Sequence, residues 1–375
     1  MFTAEKSALM AALALTANVV EKRNTIPILQ NVLIEAGAAP GSLSARLTNL
    51  DIEASTPFKA IADVDFEPFT VPAGLLADIV RKLPDGCDVT VKRKGGKLDA
   101  VVIEAGRSKF SLQVLPASDF HEMKVPGGFQ HRFTIAAGDF AAAITACGFA
   151  VSTEETRYYL NGIFLHPTAA DAEHQGVILV ATDGHRLSKR YVKAEMDPAM
   201  PGVIIPRQSI KVIEKILPKA GEIIVELSEN LIRLSGGSSL ITSKLVDGTF
   251  PDYVRVVPNG HDMEATLDAP TLAAAIDRVA TVSGERGRAV RFSFAGGQLH
   301  LEVKNPDAGD ASDTLSYDGH AELEIGFNAR YVNDALSHLP GEQLTMALGD
   351  TNSPAVLRSI GAHPENLIVL MPMRV

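Results

Sequence analysis

Two helix-like segments recur three times along the chain, in the same order each time. The first reads FTAEKSALMAAL from Phe2, FTIAAGDFAAAI from Phe133 and ATLDAPTLAAAI from Ala265. Thr3, Thr134 and Thr266 share one position, Leu9, Phe140 and Leu272 a second, and Leu13, Ile144 and Ile276 follow four residues later. A strand-like start followed by apolar residues at i and i+4 puts one apolar stripe on a helix of otherwise small residues. The second segment reads VPAGLLADIVRKLP, IPRQSIKVIEKILP and FNARYVNDALSHLP, ending at Pro84, Pro218 and Pro340. Gly86, Gly221 or Gly341 follows within three residues, a stop signal because proline cannot extend the helical ladder. Successive copies lie 131 and 132 residues apart for the first segment, and 134 and 122 for the second. That spacing identifies one unit copied three times.

Between and after the helices, residues 89–91, 98–103, 223–227 and 299–303 alternate apolar and polar as strands do. The expectation is an α+β chain of three similar modules, 1–129, 130–258 and 259–375, each with two helices on antiparallel sheets of roughly eight strands. The uncharged run 7–20 reads as one amphipathic helix; it is too short to span a bilayer, and Glu5 beside Lys6 argues against a targeting segment. No membrane is expected. Cys87 and Cys147, 60 residues apart and outside any CxxC, give neither a disulfide framework nor a zinc site and suit a reducing compartment, the cytoplasm.

The net charge of -10 argues against a generally basic coat, but a total does not say how charge is distributed. Arg207, Lys211 and Lys215 fall at i, i+4 and i+8, one basic stripe on one helix. Lys22, Arg23, Arg81 and Lys82 stand near helix ends in the first module, and Arg278, Arg286, Arg288 and Arg291 in the third. Acidic residues gather elsewhere, at Asp63, Asp65 and Glu67, at Glu154 and Glu155, and at Asp307, Asp310 and Asp313. Helices about 9 Å apart close a six-membered circle with almost no hole, whereas twelve leave roughly 24 Å of clear lumen. Two chains, not one, could surround a duplex and touch its phosphates without reading bases.

Two other classes stay open on the residues alone. Asp183 and His185 are the types a catalytic dyad or metal site would use, although residues at i and i+2 share a face only on a strand and no third ligand is evident. GxxxxGK[ST], HExxH, GxSxG and GxGxxG are missing from the sequence, so no catalysis, cofactor or metal is expected. A repeat scaffold binding only proteins would differ from a ring in having no topological hold on DNA.

The stretches TIPILQNVLIEA (25–36), RYYLNG (157–162), ATDGHRLS (181–188), SKLVDGTFPDYVRVVP (243–258) and VLMPMRV (369–375) resemble the bacterial DNA polymerase III beta subunit family, and the likeness spans the whole chain. The resemblance implies a sliding clamp: a head-to-tail homodimeric ring, opened on DNA by a loader, that holds the replicative polymerase. It implies a partner-peptide pocket between the second and third modules, shared by the polymerase III catalytic subunit, the clamp loader, other polymerases and repair proteins. Leu160, Thr182, Gly184, His185, Arg186, Leu187, Pro251, Val256, Val369 and Met371 match its deeper apolar part. Arg157, Tyr158, Arg255, Asn328, Tyr331, Pro372, Met373 and Arg374 match its outer groove. For DNA the family positions fall on Arg23, Arg81 and Arg207, with Lys82, Lys211, Lys215 and Arg278 added from the charge pattern, whereas Gly74, Leu75 and Gln208 stand where basic residues are common. Arg107 and Lys109 on one side, and Asp307, Asp310 and Asp313 on the other, match the opposed charges of the dimer seam, with Thr281 and Val282 as apolar contacts.

Overall fold

A computed structural model describes residues 1–21, 24–95, 97–218, 220–237, 239–284 and 289–375. Among these residues the α-helices are α1 (Lys6–Ala12), α2 (Thr16–Val19), α3 (Ala73–Lys82), α4 (Ala137–Gly148), α5 (Arg207–Ile216), α6 (Ala269–Ala280) and α7 (Ala329–His338). None is long and apolar enough to cross a membrane.

The repeat is carried into three dimensions. Strands Phe2–Glu5, His131–Ala136 and Met263–Asp268 lead into α1, α4 and α6, and each pairs antiparallel with the strand that follows α3, α5 or α7. Thr3, Thr134 and Thr266 stand opposite Thr90, Ile224 and Thr345. The backbone N–H groups of Lys6, Ala137 and Ala269, one at the start of each helix, donate to the carbonyls of Cys87, Gly221 and Glu342. Gly86, Gly221 and Gly341 have φ of +70°, +87° and +84°, which is why a glycine follows each Leu-Pro stop. The stripe residues Leu9, Phe140, Leu272, Ile144 and Ile276 are all fully buried.

Among the described residues each module holds eight principal strands in two four-stranded groups. In the third, Met263–Asp268, Gln343–Leu348, Ala355–Ser359 and Leu367–Leu370 form one group, and Ala289–Ala295, Gln298–Asn305, Gly309–Ser316 and Leu323–Asn328 the other. Leu272, Ile276 and Val279 of α6 and Val332 and Leu336 of α7 share one core with Phe292, Phe294 and Phe327 of the strands. Burial of each such side chain stabilises by about 1.5–3 kcal/mol.

The first helix departs from the expectation: the run 7–20 is broken into α1 and α2. Leu13 and Leu15 are both buried, yet on a regular helix they would point about 200° apart. The chain tightens between them, with Ala14 N–H donating to Ala11 and Thr16 N–H to Leu13, so that both side chains turn inward.

The chain divides into two compact units, one comprising Met1–Ala141, Ala194–Asp197 and Gln208–Leu245, the other Ala142–Lys193, Pro198–Arg207 and Val246–Val375. Within the first, strand Ser239–Lys244 pairs with Ile52–Lys59, from Leu240↔Ser55 to Ser243↔Ile52. Within the second, Leu367–Leu370 pairs with Arg186–Glu195, from Arg186↔Leu370 to Lys189↔Leu367. The two junctions obey one rule: the edge strand of one module's second sheet receives the edge strand of the next module's first sheet. Among the described residues, the two strands that hold the corresponding places in the rule without a partner are Ser108–Gln113, at the edge of the first module's first sheet, and Gly309–Ser316, at the edge of the third module's second sheet.

Candidate functional site

In the second unit, strands Gly176–Thr182 and Arg186–Glu195 meet in a hairpin turn that brings most of the candidate pocket residues together. Asp183 closes the turn. Its Oδ1 accepts the backbone N–H groups of His185 (2.9 Å) and Arg186 (3.0 Å), and its Oδ2 accepts from Arg186 Nε at 3.1 Å. Thr182 Oγ1 donates to the Arg186 carbonyl at 2.8 Å and accepts from Gly184 N–H at 3.1 Å. The carboxylate considered for a catalytic dyad is thus occupied in folding the turn, and the His185 ring stacks on Tyr331 with centroids 5.9 Å apart. Among the described residues no group of three or more His, Cys, Asp or Glu side chains could hold a metal ion.

Leu160, Leu187 and Val369 are buried in one apolar cluster with Val180, Ile204 and Phe250. Leu187 pairs with Val369 across the strands, and Met371 N–H donates to the His185 carbonyl at 2.9 Å, which leads the C-terminal segment along the turn. Met371 and Val256 are 41% and 54% exposed, so apolar side chains form a rim above an apolar floor. Such an arrangement can take up an apolar side chain while Met and aliphatic groups adapt to its shape. Val254, 60% exposed, neighbours Arg255 on the same short helix Tyr253–Val256 and was not singled out in the sequence.

The outer positions divide. Arg157 makes a bidentate pair with Glu154 at 2.6 and 2.7 Å, and Tyr158 is exposed, edge-on to Tyr159. Asn328 spends its side-chain oxygen capping α7, accepting from the N–H groups of Arg330 and Tyr331. Met373 pairs with Gly326, carrying Pro372 towards that strand, and Arg374 is exposed. Arg186 is largely engaged within the fold. Its side chain is only 10% exposed, it pairs with Asp334 of α7 at 2.5 Å, and its guanidinium lies 4.6 Å from the Tyr331 ring and 5.0 Å from that of Phe149. It clamps α7 to the hairpin. Asp334 and Phe149, the partners that make this clamp, have no local signal in the sequence.

Of the DNA candidates, Arg207, Lys211 and Lys215 all lie exposed along α5, opposite buried Ser209, Ile210, Val212 and Ile213. Lys215 also donates to Asn18 of α2 at 2.8 Å. Arg81 and Lys82 end α3 exposed, with Arg81 paired to Asp78. Gly74 and Leu75 are exposed on the same helix. Arg23 lies outside the described residues, as do Lys22, Arg286 and Arg288. Arg278, exposed like Arg81, is also paired: Asp313 accepts from its Nε at 2.8 Å and its Nη2 at 2.6 Å. Arg291, on strand Ala289–Ala295, is likewise placed between Glu302 and Glu324.

Among the seam candidates, Lys109 lies on the unpaired Ser108–Gln113 edge, where it also pairs with Glu104 at 3.0 Å, and Arg107 is exposed in the turn before it. Asp310 lies on the other unpaired edge and Asp307 in the turn leading to it. Thr281 caps α6, and Val282 packs against the third core while its carbonyl accepts from Asn305 at 2.7 Å.

Three family models match: the N-terminal domain of the DNA polymerase III beta subunit over residues 1–124, its central domain over 134–252 and its C-terminal domain over 254–374. The chain is 42% identical to the beta sliding clamp of Caulobacter vibrioides, over 100% of this chain and 99% of that one. A Bartonella birtlesii DnaN sliding clamp solved bound to griselimycin superposes with a TM-score of 0.91 at 43% identity, covering 100% and 99% of the two chains. A Pseudomonas aeruginosa counterpart, also bound to griselimycin, gives 0.92 at 34% identity, again over 100% and 99%.

Proposed function

The chain belongs to the DNA polymerase III beta subunit family and is a DNA sliding clamp serving DNA polymerase III processivity; on that premise we propose that two copies close head to tail into a ring around duplex DNA. The observation that carries this is the junction rule. Continued once more, it sets Gly309–Ser316 of one copy against Ser108–Gln113 of a second, and the reciprocal contact closes the circle. Arg107 and Lys109 then meet Asp307 and Asp310, with Thr281 and Val282 as apolar contacts. Exposed ion pairs contribute little, so strand pairing carries most of the seam and covers edges that would otherwise invite aggregation. The modules are 1–129, 130–258 and 259–375, and their helices line the passage. Arg81, Lys82, Arg207, Lys211, Lys215 and Arg278 meet phosphate there, and family likeness adds Arg23, which lies outside the described residues.

The pocket of Leu160, Leu187, Val256, Val369 and Met371 receives short extended peptides from the polymerase III catalytic subunit, the loader, and other polymerases and repair proteins. Griselimycin, found on the Bartonella and Pseudomonas relatives, is the probe for it. The chain acts in the cytoplasm without catalysing a reaction itself; incubation with nucleotides and divalent metals is expected to give no turnover. Sedimentation equilibrium tests the ring: a species of twice 39.9 kDa at micromolar concentration is expected. A 39.9 kDa monomer at that concentration would remove the proposal's support.

A further inference from the structure

Residues Phe250 to Val256 cross one face of the sheet formed by strands Gly162–Pro167, Gly176–Thr182 and Arg186–Glu195, and they carry the pocket's Pro251, Arg255 and Val256. Only two of their side chains point down. Phe250 stacks on Phe164 with centroids 4.8 Å apart and planes within 5°, and Tyr253, 7% exposed, reaches His166, whose Nε2 lies 2.9 Å from the phenol oxygen. The other His166 nitrogen, Nδ1, is 2.7 Å from the Pro167 carbonyl, which can only accept. His166 Nδ1 therefore carries the proton, Nε2 is an acceptor, and the Tyr253 hydroxyl donates to it. A buried phenol without a partner would be costly, so this bond fixes where the segment lies.

We propose that His166 and Tyr253 are positioning residues for the peptide pocket: their hydrogen bond holds the Pro251–Val256 rim over the apolar floor, and peptide affinity depends on it. This rests on the pocket reading given under Proposed function. Neither residue is among the pocket positions read from the sequence; their effect passes through the rim they anchor.

The surroundings make the link sensitive to protonation. A cavity of about 390 Å³ adjoins the pair, and Lys189, Glu173, His174, His363 and Glu365 face it. Lys189 pairs with Glu365, and its ammonium lies 5.7 Å from the centre of the Tyr253 ring. Burial, with Lys189 adding to it, holds the His166 imidazole below its ordinary 6.5, although the Pro167 carbonyl and Glu365 pull the other way. The neutral ring is the form that accepts from Tyr253. Affinity should therefore be full above pH 6.5 and fall as the pH drops through the depressed value of His166.

The test is griselimycin binding to the full chain between pH 5 and 8. His166→Leu and Tyr253→Phe are each expected to bind about 3- to 10-fold more weakly at pH 7.5 (roughly one hydrogen bond), and His166→Gln, which keeps an acceptor, within about twofold of wild type. A structural role alone would not move the pH profile. His166→Gln should lose the acid-side fall seen in wild type. Should His166→Leu fail to fold, Tyr253→Phe and the His166→Gln profile decide the matter. Wild-type binding with unchanged affinity in Tyr253→Phe and an unchanged profile in His166→Gln overturns the inference alone. No binding by wild type overturns the pocket reading and this inference with it.

Discussion

The guanidinium of Arg157 lies where a side chain on Gly184 would begin: a Cβ added to Gly184 would sit 2.8 Å from Arg157 Nη1. Gly184 also has φ of +89°, a conformation that L side chains rarely adopt. Gly184→Ala is expected to destabilise by about 1–2 kcal/mol through backbone strain and to weaken griselimycin binding by displacing Arg157. Adding Arg157→Ala should relieve the clash but not the strain. Thermal denaturation of both variants separates the two, and full recovery of stability in the double variant would show that φ is unimportant.

Arg186 should act mainly on the packing of α7. Replacing it with Met leaves Asp183 without its cation and Asp334 with only the looser contact to Arg330 at 3.8 Å, and a loss of about 2 kcal/mol is expected, discounted because Asp334 is a third exposed. Arg186→Lys keeps the charge but cannot make both carboxylate contacts while lying flat between Phe149 and Tyr331, so it should recover less than half. Denaturant unfolding measures both; a fully stable Met variant would contradict the clamp.

The α5 stripe gives a salt-dependence prediction. If Arg207, Lys211 and Lys215 each meet one phosphate, the triple Ala variant should lower the slope of log affinity against log salt for duplex DNA by about 2–3. Arg278→Ala should change it much less, because Asp313 already holds that side chain. Equal slopes for wild type and the triple variant would remove α5 from the DNA contact.

The two cysteines should differ in reactivity. Burial pushes the Cys147 thiol up to about 12 from 9.0, whereas Cys87 is half-exposed. With the folded value raised, the stability contribution is complete below pH 9 and is lost as pH rises towards 12. A thiol reagent at pH 8 should modify one cysteine in the native chain and two after denaturation; rapid native labelling of Cys147 would contradict this.

The threefold architecture was legible because it is written in local terms. The Thr at one strand register, the i and i+4 stripe and the glycine after Leu-Pro are each dictated by the backbone within a few residues, and each recurs three times. The split between α1 and α2 was hidden because no Gly or Pro interrupts the run 7–20, and only the burial of Leu13 and Leu15 together forces the tighter turn. Arg278 with Asp313 and Arg186 with Asp334, 35 and 148 residues apart, were equally hidden. Long-range pairs leave no periodic trace, so charges that read as free turned out to have partners. Family likeness singled out Leu160, Leu187 and Val369, which share one buried cluster, while the bond between His166 and Tyr253, 87 residues apart, emerged only from the fold.

Topology is the central claim, and release from DNA tests it most directly. The protein is loaded onto a nicked circular plasmid, isolated, and the plasmid is then cut once. The ring account expects retention on the circle and loss from the linear form within minutes, with loss prevented when both DNA ends are blocked. Equal retention on circular and linear DNA would contradict it.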